Sequence, residues 1–162
     1  MPPQAEASRI PKLAAAAELR VLDQSGMPHR LADYSGRLVV VYFYPRDETP
    51  GCTVEGKEFR DLYDQFVALD CAVIGVSTDS VESHRAFAEK HAFPFALLSD
   101  PEGELASAFG VLRGGVAARS TFVLNADQRV ARAFHEVTPR GHAQRVLDFV
   151  RSILESHRML GG

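Results

Sequence analysis

Tryptophan is absent from this chain, and cysteine occurs only twice in 162 residues. Two cysteines cannot staple a small secreted domain, so an ordinary hydrophobic core has to hold the fold. Basic residues are not in excess either. Eighteen lysines and arginines against 21 aspartates and glutamates leave a net charge of −3, which argues against a nucleic-acid or generic phosphate surface. Long apolar runs are missing as well: the longest uncharged one, Leu38–Tyr44, is closed by Pro45, far short of the roughly 20 residues a bilayer span needs. Nothing at the N-terminus resembles a signal peptide, because its one apolar stretch, Ala14–Ala17, lies between Lys12 and Glu18. What is present, 46% hydrophobic and 24% charged residues, has the balance of a soluble globular domain, expected in a reducing compartment, the cytoplasm.

Residues 1–17 contain Pro2, Pro3 and Pro11 and no apolar period, which predicts a flexible N-terminal arm, mobile or loosely docked, before a folded domain over 18–162. Glu18–Val21 and His29–Leu31 read as the arms of a hairpin turning at Asp23–Gly26. Leu38–Tyr44 is continuous, β-branched and aromatic, as a strand covered on both faces would be. A helical pattern runs through Val54, Phe59, Leu62, Phe66 and Leu69, with charged residues mostly between. Ala72–Ser77 is a second buried strand, Val81–Ala92 a second helix, Phe95–Leu98 a short strand and Gly103–Phe109 a short helix. Thr121–Leu124 and Val130–Phe134 read as adjacent antiparallel strands. The last helix is expected after Thr138, with Pro139 in its first turn. Strands alternating with helices predict an α/β fold whose central mixed sheet, mostly parallel, is flanked by helices.

The informative stretch is Tyr42–Cys52, YFYPRDETPGC. A buried strand ends, a polar loop turns, and a helix begins with cysteine in its first turn. Thr49 suits the N-cap, because the following proline disfavours helical dihedrals there and Pro50 suits the first helical position. Cys52 then lies where unsatisfied N–H groups and the positive end of the helix dipole converge, and such a place favours a thiolate. A free thiol of pKa about 8.5 is roughly 3% ionised at pH 7, and bringing it to about 6 requires about 3.4 kcal/mol. A helix terminus supplies only about 0.3–2 kcal/mol, so hydrogen bonds and a cation must provide the rest. The Thr49 hydroxyl can turn toward the sulfur, and an arginine must come from elsewhere in the chain.

The spacing Pro45-x-x-x-Thr49-x-x-Cys52 resembles the active-site signature of peroxiredoxins, and YFYPRDETPGCTVEGKEFRD is similar to that of the bacterioferritin-comigratory (PrxQ) subfamily. The likeness continues through AVIGVSTDS (72–80), FALLSDPEGELASAFGV (95–111) and RSTFVLN (119–125). The resemblance implies a thioredoxin-like fold and a peroxidase without a cofactor, acting on hydrogen peroxide and organic hydroperoxides. It makes Cys52 the peroxidatic cysteine, oxidised to a sulfenic acid. It implies that Thr49 hydrogen-bonds thiolate and peroxide, that Pro45 shields the sulfur, and that Arg119, three residues before Phe122, is the cation. Backbone N–H groups of Gly51 and Cys52 would complete the donor set, and Glu55 could bridge to a nearby arginine.

Regeneration needs a second thiol. Many members of that subfamily carry it five residues after the first, where this chain has Lys57; others carry it on the next helix, and Val81–Ala92 contains none. Cys71 follows a helix about 25 Å long that starts at Cys52, whereas a disulfide needs Cα atoms within about 7 Å. Cys71 therefore reads as a core residue. The expected mechanism uses one cysteine, with thioredoxin, glutaredoxin or glutathione as external reductant and a monomer or weak homodimer as the unit. An intermolecular disulfide stays open, and so does a sensor whose oxidised Cys52 signals to a partner without turnover. No metal site is expected: there is no His-x3-His or Cys-x2-Cys, and the six histidines read as solvated or capping side chains.

Overall fold

The computed structural model describes residues 13–161, with side chains as far as Ser156. Its elements in chain order are α1 (Leu13–Ala16), β1 (Val21–Leu22), β2 (Pro28–His29), a 3-10 turn (Leu31–Tyr34), β3 (Leu38–Phe43), α2 (Pro50–Ala68) and β4 (Cys71–Ser77). There follow α3 (Val81–His91), β5 (Ala96–Ser99), α4 (Glu104–Ala108), β6 (Leu112–Arg113), β7 (Val116–Ala117), β8 (Ser120–Leu124), β9 (Val130–Phe134) and α5 (His142–Gly161).

Seven strands form one sheet in the order β2–β1–β5–β4–β3–β8–β9, and β6 and β7 form a separate hairpin. The three central strands β3, β4 and β5 are parallel, while both flanks pair antiparallel. The sheet is mixed as expected but not mostly parallel: only two of its six strand pairings, β3–β4 and β4–β5, are parallel, because antiparallel neighbours rather than parallel crossovers build both flanks. The alternation of a strand assigns β3 to both cores at once. Val39, Val41 and Phe43 face a cluster with Leu13 and Ala16 of α1, Leu105 of α4 and Phe109. Leu38, Val40 and Tyr42 face a second cluster with Phe59 and Phe66 of α2, Phe87 of α3 and Val146 and Leu147 of α5. Every residue of β3 is buried, which explains why its sequence does not alternate.

The structure shifts three further expectations. Residues 13–17, assigned to the flexible arm, are docked closely rather than loosely: Leu13, Ala16 and Ala17 are buried in the first cluster, so a run of alanines covers the sheet without needing bulk. Residues 1–12 lie outside the described residues. The hairpin is shorter and starts later, pairing Val21 with His29 and Leu22 with Pro28 across an Asx turn in which Asp23 Oδ1 accepts from the N–H groups of Ser25 and Met27. The last helix begins at His142 rather than around Pro139. Pro139 sits before a left-handed Gly141 (φ 81°), and packs beside the start of α2 instead.

Candidate active site

Three chain ends meet at one edge of the sheet. The β3–β8 register pairs Phe43 with Ser120, so Arg119 lies just beyond β8 beside the loop that leaves β3. That loop leads into α2, whose N-cap is Thr49, extended at φ −78° and ψ 152°, with Pro50 in the first turn. The N–H of Thr53 is the first to reach back a full turn, to the Thr49 carbonyl at 2.9 Å. Pro50 has no N–H, so the N–H groups of Gly51 and Cys52 are left without an acceptor inside the helix. Cys52 is 2% exposed.

Arg119 Nη2 donates to Cys52 Sγ at 3.4 Å, and its Nη1 donates to Glu55 Oε1 at 2.8 Å. One guanidinium thus bridges two buried side chains one helical turn apart. Burial works against the charge of Arg119, but Glu55 and then Cys52 outweigh it and hold the guanidinium above its ordinary range. Glu55 is fully buried, and burial pushes its carboxyl up to about 7 even though Arg119 pulls the other way. Its second oxygen, Oε2, has no hydrogen-bond partner among the described residues. Tyr42 lies on the same face, stacked on Phe59 at 4.6 Å, and its phenol is raised well above 10 by burial and then by the charges of Glu55 and Cys52.

Gly51 explains how the bridge fits. A Cβ there would stand 2.9 Å from Arg119 Nη2 and 3.3 Å from Pro139 Cγ. The lack of a side chain is what lets the guanidinium reach the sulfur. Behind it, Val137 N donates to the Arg119 carbonyl at 3.2 Å, and Gly141 N donates to Glu58 Oε1 at 2.7 Å, so the segment before α5 walls this side of the site.

The structure therefore brings Cys52, Gly51, Glu55 and Arg119 into direct proximity. Pro45 and Thr49, both half-buried, occupy the loop two and one turns of chain before the sulfur. Thr49 departs from expectation in one respect: its hydroxyl donates to the Arg46 carbonyl at 2.9 Å, and a single proton cannot serve the sulfur as well. Glu55 points at Arg119 rather than at open space. Cys71 is buried where β4 begins, opposite Leu38, and burial pushes its thiol up to about 12. Both cysteines are free.

Two residues of this region escaped the sequence reading, Asp47 and His84. His84 is not solvated; it is fully buried, with Nδ1 2.7 Å from Asp47 Oδ2 and Nε2 2.9 Å from the Leu98 carbonyl. With Asp79 these two bring possible ligand atoms within 4.8 Å of one another, but Asp47 and His84 already engage each other's atoms.

A helix-start cysteine under an arginine, at the carboxyl edge of a mixed sheet, defines the thiol-peroxidase class of the thioredoxin-like fold. The AhpC/TSA family model matches residues 10–133, and the chain belongs to that family, the peroxiredoxins. Within it the chain resembles the Bcp and peroxiredoxin Q group. It is 39% identical over 149 residues to peroxiredoxin Bcp of Bacillus subtilis, spanning 86% of this chain and 94% of that one. The Xanthomonas campestris bacterioferritin comigratory protein, described for alkyl peroxide reduction, superposes with a TM-score of 0.83 at 37% identity, over 86% of this chain and 94% of that one. Two forms of Xanthomonas campestris peroxiredoxin Q, also at TM-score 0.83 and 37% identity, carry single cysteine-to-serine changes at positions 36 residues apart. They are matched over 86% of this chain and 93–94% of those. Among the described residues no helix is long and apolar enough to cross a membrane.

Proposed function

We propose that this thiol-dependent peroxidase works with Cys52 alone. The Cys52 thiolate attacks the terminal oxygen of a hydroperoxide; the O–O bond breaks, the sulfur becomes a sulfenic acid, and the departing alkoxide or hydroxide takes a proton to leave as alcohol or water. Arg119 Nη2 and the N–H groups of Gly51 and Cys52 are the donors for the charge that moves onto oxygen. Glu55 acts through Arg119, holding its other arm. Pro45 shields the sulfur from water, and Thr49 binds the peroxide by turning its hydroxyl away from Arg46.

Two equivalents of an external thiol then return the sulfenic acid to the thiol, releasing water and the corresponding disulfide. The position of Cys71 supports this cycle, since it lies beyond the far end of the 19-residue α2. Counting the same 36 positions on from Cys52, the separation of the two cysteines changed in the Xanthomonas protein, reaches Ala88 in this chain. Thioredoxin, glutaredoxin or glutathione is the reductant class, the unit is a monomer or weak homodimer, and a thiol-rich compartment such as the cytoplasm suits the cycle.

The observation that carries the reading is the 3.4 Å contact from Arg119 to Cys52 at the start of α2. Peroxide consumption is measured for wild type, Cys52→Ser and Cys71→Ser with each reductant. Cys52→Ser is expected to lose all turnover and Cys71→Ser to keep most of it. A Cys52–Cys71 disulfide found by mass spectrometry after one equivalent of peroxide would overturn the one-cysteine cycle. A single stoichiometric oxidation without recycling would make the protein a sensor.

A further inference from the structure

The loop that delivers Cys52 is tied to the sheet at one residue. The Asp47 side chain accepts three hydrogen bonds: Tyr44 Oη at 2.6 Å on Oδ1, and Ser83 Oγ and His84 Nδ1, each at 2.7 Å, on Oδ2. Its backbone N–H donates to Asp79 Oδ2 at 2.8 Å, an oxygen that also accepts from Ser77 Oγ at 2.6 Å. The Leu98 carbonyl can only accept, so His84 Nε2 donates to it and the other ring nitrogen faces Asp47. The fastening thus draws on β4, α3 and β5 together.

The residue after it shows what the fastening does. Glu48 is left-handed at φ 66°, a conformation that a non-glycine side chain keeps only where its surroundings hold it. With Asp47 pinned on one side and the Thr49 N-cap on the other, that turn aims the chain into α2. Pro45 and Thr49 lie on either side of Asp47.

We propose that Asp47 and His84 are positioning residues that preform the peroxide-facing loop. They act through Pro45 and Thr49 rather than on the sulfur. The role rests on the peroxide chemistry proposed for Cys52, and losing the clamp should slow peroxide attack selectively. An ångström of misplacement in a reacting geometry costs up to about a hundredfold in rate, so a loosened loop has ample room to register.

The test compares two reagents on the same buried sulfur: hydrogen peroxide, which the loop must orient, and iodoacetamide, which needs only access past it. Stopped-flow oxidation and alkylation of Cys52 are measured for wild type, Asp47→Asn, His84→Gln, Ser83→Ala and Ser83→Thr. Asp47→Asn and His84→Gln are expected to oxidise about tenfold more slowly while alkylating at least as fast as wild type, since a loosened loop opens access to the buried sulfur. Ser83→Ala is expected to lose about twofold in oxidation alone, and Ser83→Thr, which keeps the hydroxyl, to recover it. Ser83 is only half-buried, so this pair decides the matter if the two buried variants fail to fold. Unchanged oxidation, or a parallel loss in both reactions, overturns the clamp; a wild type inert to peroxide overturns the underlying function instead.

Discussion

Asp47 and Glu55 stand eight residues apart on either side of the start of α2, and both are buried. Asp47 receives three donors and has its backbone held as well. Glu55 receives Arg119 on one oxygen, leaves the other without a partner among the described residues, and must share that arginine with Cys52. The first carboxylate fastens a loop. The second keeps a cation in place without neutralising it fully, which leaves positive charge for the sulfur. Burial alone does not tell the two roles apart; the number and kind of donors does.

The sharpest way to break this contrast is to remove the shared cation. Arg119→Met is expected to slow oxidation of Cys52 by about 10²–10³-fold, the usual cost of losing one preorganised donor to developing charge. Stopped-flow oxidation checks it, and a loss below about threefold would remove Arg119 from the mechanism.

Next in size is a difference in stability between two isosteric changes. Asp47→Asn is expected to cost about 1–3 kcal/mol, because it replaces an acceptor of three bonds with a group that must itself donate. Glu55→Gln should behave differently with pH. The folded-state pKa of Glu55 is raised to about 7 from 4.5, so its contribution favours the fold fully below about pH 4.5 and is lost as pH rises toward 7. The glutamine variant lacks that loss. Urea unfolding at pH 5 and pH 8 is expected to show the variant gaining on wild type as pH rises; a gap that is constant, or that closes in the other direction, contradicts the raised carboxyl.

The smallest effect is expected at Gly51→Ala. The new methyl would press on Arg119 Nη2 at 2.9 Å and on Pro139. Oxidation should slow about threefold to tenfold as the guanidinium retreats. Stability should hold, because alanine is preferred over glycine in a helix by about 1 kcal/mol.

The fold was readable where one element carries its own signal. Leu38–Tyr44 announces a doubly covered strand, and Thr49–Pro50 before a periodic run announces a helix start, so the position of Cys52 followed directly. Arg119 is 67 residues from Cys52 and was reached through the family resemblance, not through spacing. Asp47 and His84 stayed hidden because they are 37 residues apart and each looks ordinary alone: a loop aspartate, and a histidine on a helix face. That Leu13–Ala16 belongs to the core was not legible, since alanines give no periodic stripe. Pro139 misled for a related reason; a proline after threonine looks like a helix start, but Gly141 turns the chain again before α5 begins.

The burial of Cys71 at the far end of α2 has a practical consequence. The molecule carries two native labels that keep different clocks. Both cysteines are 2% exposed, so a thiol reagent reaches either one only through local opening. At Cys52 movement of the loop before α2 suffices and Arg119 offers positive charge to the sulfur, whereas at Cys71 β4 must detach and burial holds the thiol up at about 12. Following both in one peptide-mapping experiment reads reactivity and large-scale opening from the same sample, with no dye, tag or engineered site.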